Sequence, residues 1–158
     1  MSVLLIRAAV ALTLLLALAA PAASKGTALT RPEQSLLQAV NEARAAAGLE
    51  PLDVDAALTR AARAHSHTLL ARDVLAHGDF ATRLRSFGAR GPMLGENLAW
   101  GTGAYARAGA IVRAWLGSPG HRENLLRPGF QRIGLGAVVG EFAGYGGATV
   151  VTADFAGR

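Results

Sequence analysis

The chain has no cysteine among its 158 residues. That absence excludes a disulfide framework, thiol catalysis and cysteine-based zinc sites. Lysine is almost as scarce: Lys25 stands alone, so arginine carries nearly all the positive charge. The arginines are scattered from Arg31 to Arg158 and are never adjacent. No polybasic stripe follows a phosphate backbone, and no nucleic-acid partner is expected. There is no Gly-x-Ser-x-Gly elbow, no His-Glu-x-x-His pair and no phosphate-binding loop. The familiar hydrolase and nucleotide-binding signatures are therefore missing.

What the chain does have begins with a leader-like segment. Arg7 is the only charge ahead of an apolar run from Ala8 to Ala20, and Ala20-Pro21-Ala22 supplies small residues for cleavage. Residues 1–22 read as a secretory signal peptide, with an uncleaved N-terminal anchor as the alternative. Removing them takes away one base and no acid, so the formal charge of +5 becomes +4. Residues 23–30 form a linker and 31–158 the single domain, secreted or lodged in the periplasm or cell envelope. A domain of roughly 135 residues buries enough core to dispense with disulfides. An exported chain without cysteine points to a bacterial source.

Helical periodicity dominates the first two thirds. Thr30 and Glu33 form a capping-box pattern ahead of Leu36, Leu37, Val40 and Ala43, with Gly48 as the stop. Asp53 is expected to cap a second, longer helix with Leu58, Ala61, Ala62, His65 and Leu69 on one stripe. Asp79 caps a short helix ending at Gly88, and Met93 to Trp100 reads as extended. Thr102-Gly103 opens a helix that reaches Trp115. Ser118 and Pro119 then start another, since serine caps through its oxygen and proline has no N–H to waste. From Ile133 the period changes to alternation, and two β-rich runs around a glycine-rich loop predict an antiparallel hairpin. Helices first and sheet last is an α+β arrangement.

Four histidines are available for chemistry. His65 lies on the apolar stripe of its helix and reads as packed, while His67 faces elsewhere and is exposed. His121 falls in the first turn of its helix, where the dipole's positive end favours a neutral imidazole. Such a histidine either packs or serves as a ligand or base. His77 neighbours Gly78, and Glu96 needs a partner because an unpaired buried carboxylate is costly. Two histidines and one carboxylate suit an open divalent-cation site completed by water. Their spacing carries no local motif.

The ordered stretches Leu37-Gln38-Ala39-Val40-Asn41-Glu42-Ala43-Arg44, Ala76-His77, Gly95-Glu96-Asn97-Leu98-Ala99, Trp115 to Leu126, Ile133-Gly134-Leu135-Gly136 and Thr152-Ala153-Asp154-Phe155 resemble the CAP superfamily. This is the group of cysteine-rich secretory proteins, antigen five and pathogenesis-related proteins, and the likeness is to its bacterial SCP-domain branch. The resemblance implies an α-β-α sandwich with an antiparallel sheet between helices. It also implies a cleft in which His77, Glu96 and His121 hold a divalent cation, zinc above all. The family's second glutamate falls where this chain reads Leu116-Gly117-Ser118, and Glu123 faces away from His121. The resulting expectation is a non-catalytic exported binding module. The alternatives are a metal-assisted hydrolase with Glu96 as base, and a carrier of lipid or sterol using surfaces around Leu84, Phe87 and Trp100. A cell-envelope component is a further candidate partner.

Overall fold

The structure is a computed structural model that describes residues 27–157. The signal peptide read at 1–22 and the first half of the linker lie outside the described residues. Helix α1 runs Arg31–Ala46, and Glu33 reaches back to accept from the Thr30 backbone N–H at 2.8 Å. That is the carboxylate half of the capping box. Burial opposes ionisation of Glu33, but hydrogen bonds from Arg63 and the Thr30 N–H hold its carboxyl below the usual range. Thus Glu33 both starts α1 and ties it to the next helix.

The second cap is not the one expected. Asp53 lies in a short strand, β1 (Asp53–Val54), and Asp55 caps α2 (Ala56–Arg72) by accepting from Ala57 N at 2.8 Å and Leu58 N at 3.0 Å. Both aspartates precede an apolar stripe, and only the strand pairing, which engages Asp53 first, separates them. Asp79 does cap α3 (Phe80–Ser86), accepting from Thr82 N at 3.0 Å. Strand β2 (Leu94–Gly101) follows. The helix expected from Thr102 begins late, because a 3₁₀ turn over Gly103–Ala106 precedes α4 (Ala108–Leu116). Helix α5 is Pro119–Leu125, and the chain ends in β3 (Arg132–Phe142) and β4 (Tyr145–Ala156). Ala143 and Gly144 both take positive φ between those strands, as a type I′ hairpin turn requires.

The sheet order is β1-β3-β4-β2. The three long strands are antiparallel, and two-residue β1 joins β3 in parallel, a pairing too short to leave a sequence signal. Helices cover both faces, which gives the α-β-α sandwich. On one face α1, α4 and α5 pack Leu36, Val40, Ile111, Trp115 and Leu125 against Ile133, Leu135, Val151, Ala153 and Phe155. On the other, α2 lies directly on the backbone at Gly134 and Gly136. A Cβ at Gly134 would stand 2.0 Å from Leu58 C, and one at Gly136 2.5 Å from Ala62 C. Glycine alternation in β3 therefore sets how closely the long helix approaches. Among the described residues no helix is long and apolar enough to cross a membrane.

Candidate functional site

The two sequence-distant residues Glu96 and Asp154 meet because β2 pairs with β4 in a register that sets them opposite each other. Both are buried on the face covered by α2 and α3. His77, in the loop between those helices, brings Nδ1 to 2.7 Å from Glu96 Oε1 and leaves its side chain 51% exposed. Arg83 of α3 closes the arrangement. Its Nη1 donates to the His77 carbonyl at 3.1 Å, and its Nη2 donates to Glu96 Oε2. Both Glu96 oxygens are thus engaged from within the protein.

His121 enters from the opposite side on the first turn of α5. Ser118 does not cap this helix through its side chain as expected. Its Oγ sits 3.0 Å from His121 Nδ1, so the serine stands behind His121 as Glu96 stands behind His77. Burial, and then the nearby charge of His77, push the His121 imidazole below its ordinary value. The position of α5 is set by amides: Asn97 Nδ2 donates to the His121 carbonyl at 2.9 Å, and Asn124 Nδ2 to the Glu96 carbonyl at 3.1 Å. Arg44, fully buried, reaches the far end of α5 and donates to the carbonyls of Leu125, Arg127 and Phe130 at 3.0–3.2 Å.

The Nδ1 atom of each histidine is held, in His77 by Glu96 and in His121 by Ser118. Among the described residues no three histidine, aspartate or glutamate side chains are arranged to hold one metal ion. His65 is buried as expected, with Nε2 3.0 Å from the Ala76 carbonyl. It also lies 3.8 Å from Glu96 Oε2, which periodicity alone did not reveal. Glu123 turns outward to pair with Arg127. Arg83 and Asp154 escaped the sequence reading. For Asp154 a signal existed, since strand alternation puts it on the same face as Thr152 and Val150. For Arg83 there was none.

Leu84 is fully buried, and half-buried Phe87 packs against the same small core cluster. Trp100 lies elsewhere, beside an open groove of about 400 Å³ that it lines with Tyr105, Ile111, Ala114 and Tyr145.

Comparison with known proteins agrees with this architecture. A family model described as the cysteine-rich secretory protein family, CAP, matches residues 37–155. The uncharacterized protein YkwD of Bacillus subtilis is 34% identical over 111 residues, 67% of this chain and 42% of the relative. The chain spans less than half the length of the two Bacillus subtilis relatives it matches. An extracellular SCP-domain protein of Bacillus anthracis superposes with a TM-score of 0.68 at 25% identity, over 80% of this chain and 40% of that one. An outer surface protein of Borrelia burgdorferi gives 0.66 at 23% identity, over 79% and 91%. The absent cysteines leave the family's name nominal here, but matched sequence and matched fold coincide over the same domain. The chain belongs to the CAP, or cysteine-rich secretory protein, family, in its bacterial SCP-domain branch.

Proposed function

We propose that this chain is an exported binding module whose cleft presents His77 and His121 to a ligand, a divalent cation such as zinc being the one their chemistry fits. The supporting observation is that each imidazole is braced at Nδ1, by Glu96 at 2.7 Å and by Ser118 at 3.0 Å. A ligating histidine is usually oriented in this way, with its other nitrogen left to the metal. Two imidazole nitrogens suit zinc, and water completes the coordination. Glu96 acts behind His77 and is not itself a ligand, because His77 and Arg83 occupy its two oxygens. The same engagement argues against Glu96 as the base of a metal-assisted hydrolase, since a base must reach the water it deprotonates. A bound cation would supply Lewis acidity to a captured group.

Export is supported by the leader-like residues 1–22 and by structural neighbours described as extracellular or outer-surface proteins. Calorimetric titration of zinc into the mature chain and into the His77→Ala/His121→Ala double variant tests the site. Binding by the mature chain and its loss in the variant support the reading, and unchanged affinity in the variant sinks it. A lipid or sterol ligand is a second reading, and the groove beside Trp100 and Tyr105 favours it. Its test is mass spectrometry of molecules co-purifying with the protein and missing from a Trp100→Ala variant.

A further inference from the structure

The chain has two tryptophans, two tyrosines and five phenylalanines, and the described residues include all of them. Three of these rings are exposed, Trp100 by 36%, Tyr105 by 78% and Tyr145 by 58%, and all three line the groove at the end of β2. Leaving large rings in water forgoes their burial energy, so gathering them at one place calls for a reason. Separate elements fix their positions. Trp100 belongs to β2 and packs on buried Phe142 and on Tyr145, with ring centroids 5.3 and 5.8 Å away. Tyr105 stands on the 3₁₀ turn, which presses on β2 so closely that a Cβ at Gly101 would be 2.6 Å from the Tyr105 carbonyl oxygen. Tyr145 opens β4 beyond the hairpin turn, and Asp73 at the end of α2 accepts from the Ala143 N–H and ties that turn down. Helix α4 supplies Ile111 to the groove, itself buried, and Trp115 Nε1 donates to the Leu98 carbonyl to hold that helix against β2.

We infer that this groove binds an uncharged, β-linked sugar chain of the cell envelope. None of its lining residues carries a charge, so it complements a neutral ligand and offers no partner to a phosphate or carboxylate. Pyranose rings joined by β-linkages show C–H bonds on their flat faces and hydroxyls at their edges. The negative face of an aromatic ring attracts those C–H groups, and the hydroxyls of Thr102, Tyr105 and Tyr145 suit the edges. The volume of about 400 Å³ lies within the roughly 300–1,000 Å³ usual for ligand sites. An acyl chain or sterol, the second reading above, is matched less well. Its apolar surface has to be enclosed, whereas this groove is open and Ile111 is already covered. A sugar instead leaves its polar edge in water. The inference rests on the export proposed above and is independent of a cation at His77 and His121.

The test is titration of chitotetraose into the metal-free mature protein, followed by tryptophan fluorescence and calorimetry. Trp115 is buried, so Trp100 is the tryptophan whose emission a stacked sugar changes. Saturable binding with a shift in emission is expected. Tyr105→Ala and Tyr145→Ala should each weaken it roughly 2- to 10-fold, the worth of one aromatic contact. Tyr105→Phe keeps the ring and should retain more of the affinity than Tyr105→Ala. Both tyrosines are exposed, so truncating them leaves no core cavity and the variants fold. The His77→Ala/His121→Ala double variant should bind the sugar as the wild type does, and Tyr105→Ala should leave zinc titration unchanged, so either site can fail alone. No saturable binding at millimolar chitotetraose, or an affinity untouched by both tyrosine truncations, overturns the inference. Binding of palmitate that those truncations weaken, without binding of the sugar, overturns it in favour of the lipid reading.

Discussion

Ser118 Oγ lies 3.0 Å from His121 Nδ1, three residues later in the same short helix. A serine preceding Pro119 looks like an N-cap, yet its side chain serves the imidazole instead of the helix backbone. Removing it should therefore affect binding and leave folding almost untouched. Ser118→Ala is expected to change stability by less than ~0.5 kcal/mol, below the usual ~1 kcal/mol for a lost cap. Zinc affinity should fall by roughly 10-fold or more, as for other groups that brace a metal-bound histidine. Urea titration and calorimetry on one preparation separate the two effects; a stability loss with unchanged affinity would restore the capping role.

Arg83 should matter far more to stability. It is the cation between Glu96 and Asp154, and it also holds the His77 carbonyl. Arg83→Leu strands a buried carboxylate and is expected to cost about 3–5 kcal/mol, the range for breaking a buried ion pair. A denaturation midpoint close to wild type would show that the carboxyl pair needs no guanidinium.

The contact between α2 and β3 gives a sharper comparison. Gly134→Ala drives a Cβ into the Leu58 backbone, where nothing flexible can yield. A loss of at least ~1–3 kcal/mol is expected from overpacking. Gly120→Ala in α5 has no heavy atom within 4 Å of the new carbon and no positive φ. It should be neutral or stabilising by up to ~1 kcal/mol through lower unfolded-state entropy. Equal thermal shifts for the two variants would contradict the close helix–sheet approach.

Stability should depend on pH in two opposed limbs. His65 and His121 are held below their ordinary values by burial, with His77's charge adding to the effect on His121. The unfolded chain takes up protons before these histidines do, so their contribution is lost as pH falls below about 6.5. Asp154 is raised by burial and by Glu96, so its contribution is lost as pH rises above about 4 through its folded value. Asp154→Asn should therefore raise the urea midpoint at pH 7, with the gain shrinking toward pH 4. His65→Gln should flatten the decline between pH 7 and 5. A pH-independent effect of Asp154→Asn would mean that the carboxyl is ionised in both states.

Much of the fold was legible because its signals are local. The stripe through Leu36 and Val40, Asp79 before α3, Pro119 at the start of α5 and the alternation from Ile133 each depend on neighbours a few residues away. The errors arose where a local pattern had two outcomes. Asp53 and Asp55 are equally good caps until β1 pairs with β3, and Ser118 is an ordinary cap until His121 turns back toward it.

His77, Glu96 and His121 were identifiable as one set only through their family resemblance, since no periodicity joins a loop, a strand and a helix. By itself the sequence determined the element types, the lack of thiol chemistry and the histidines available to a ligand. The tertiary structure decided which groups those histidines touch. Strand register placed Asp154 opposite Glu96, and helix packing lowered Arg83 between them. The physical reason is that burial gathers residues that would be independently solvated in water into one group around a single guanidinium.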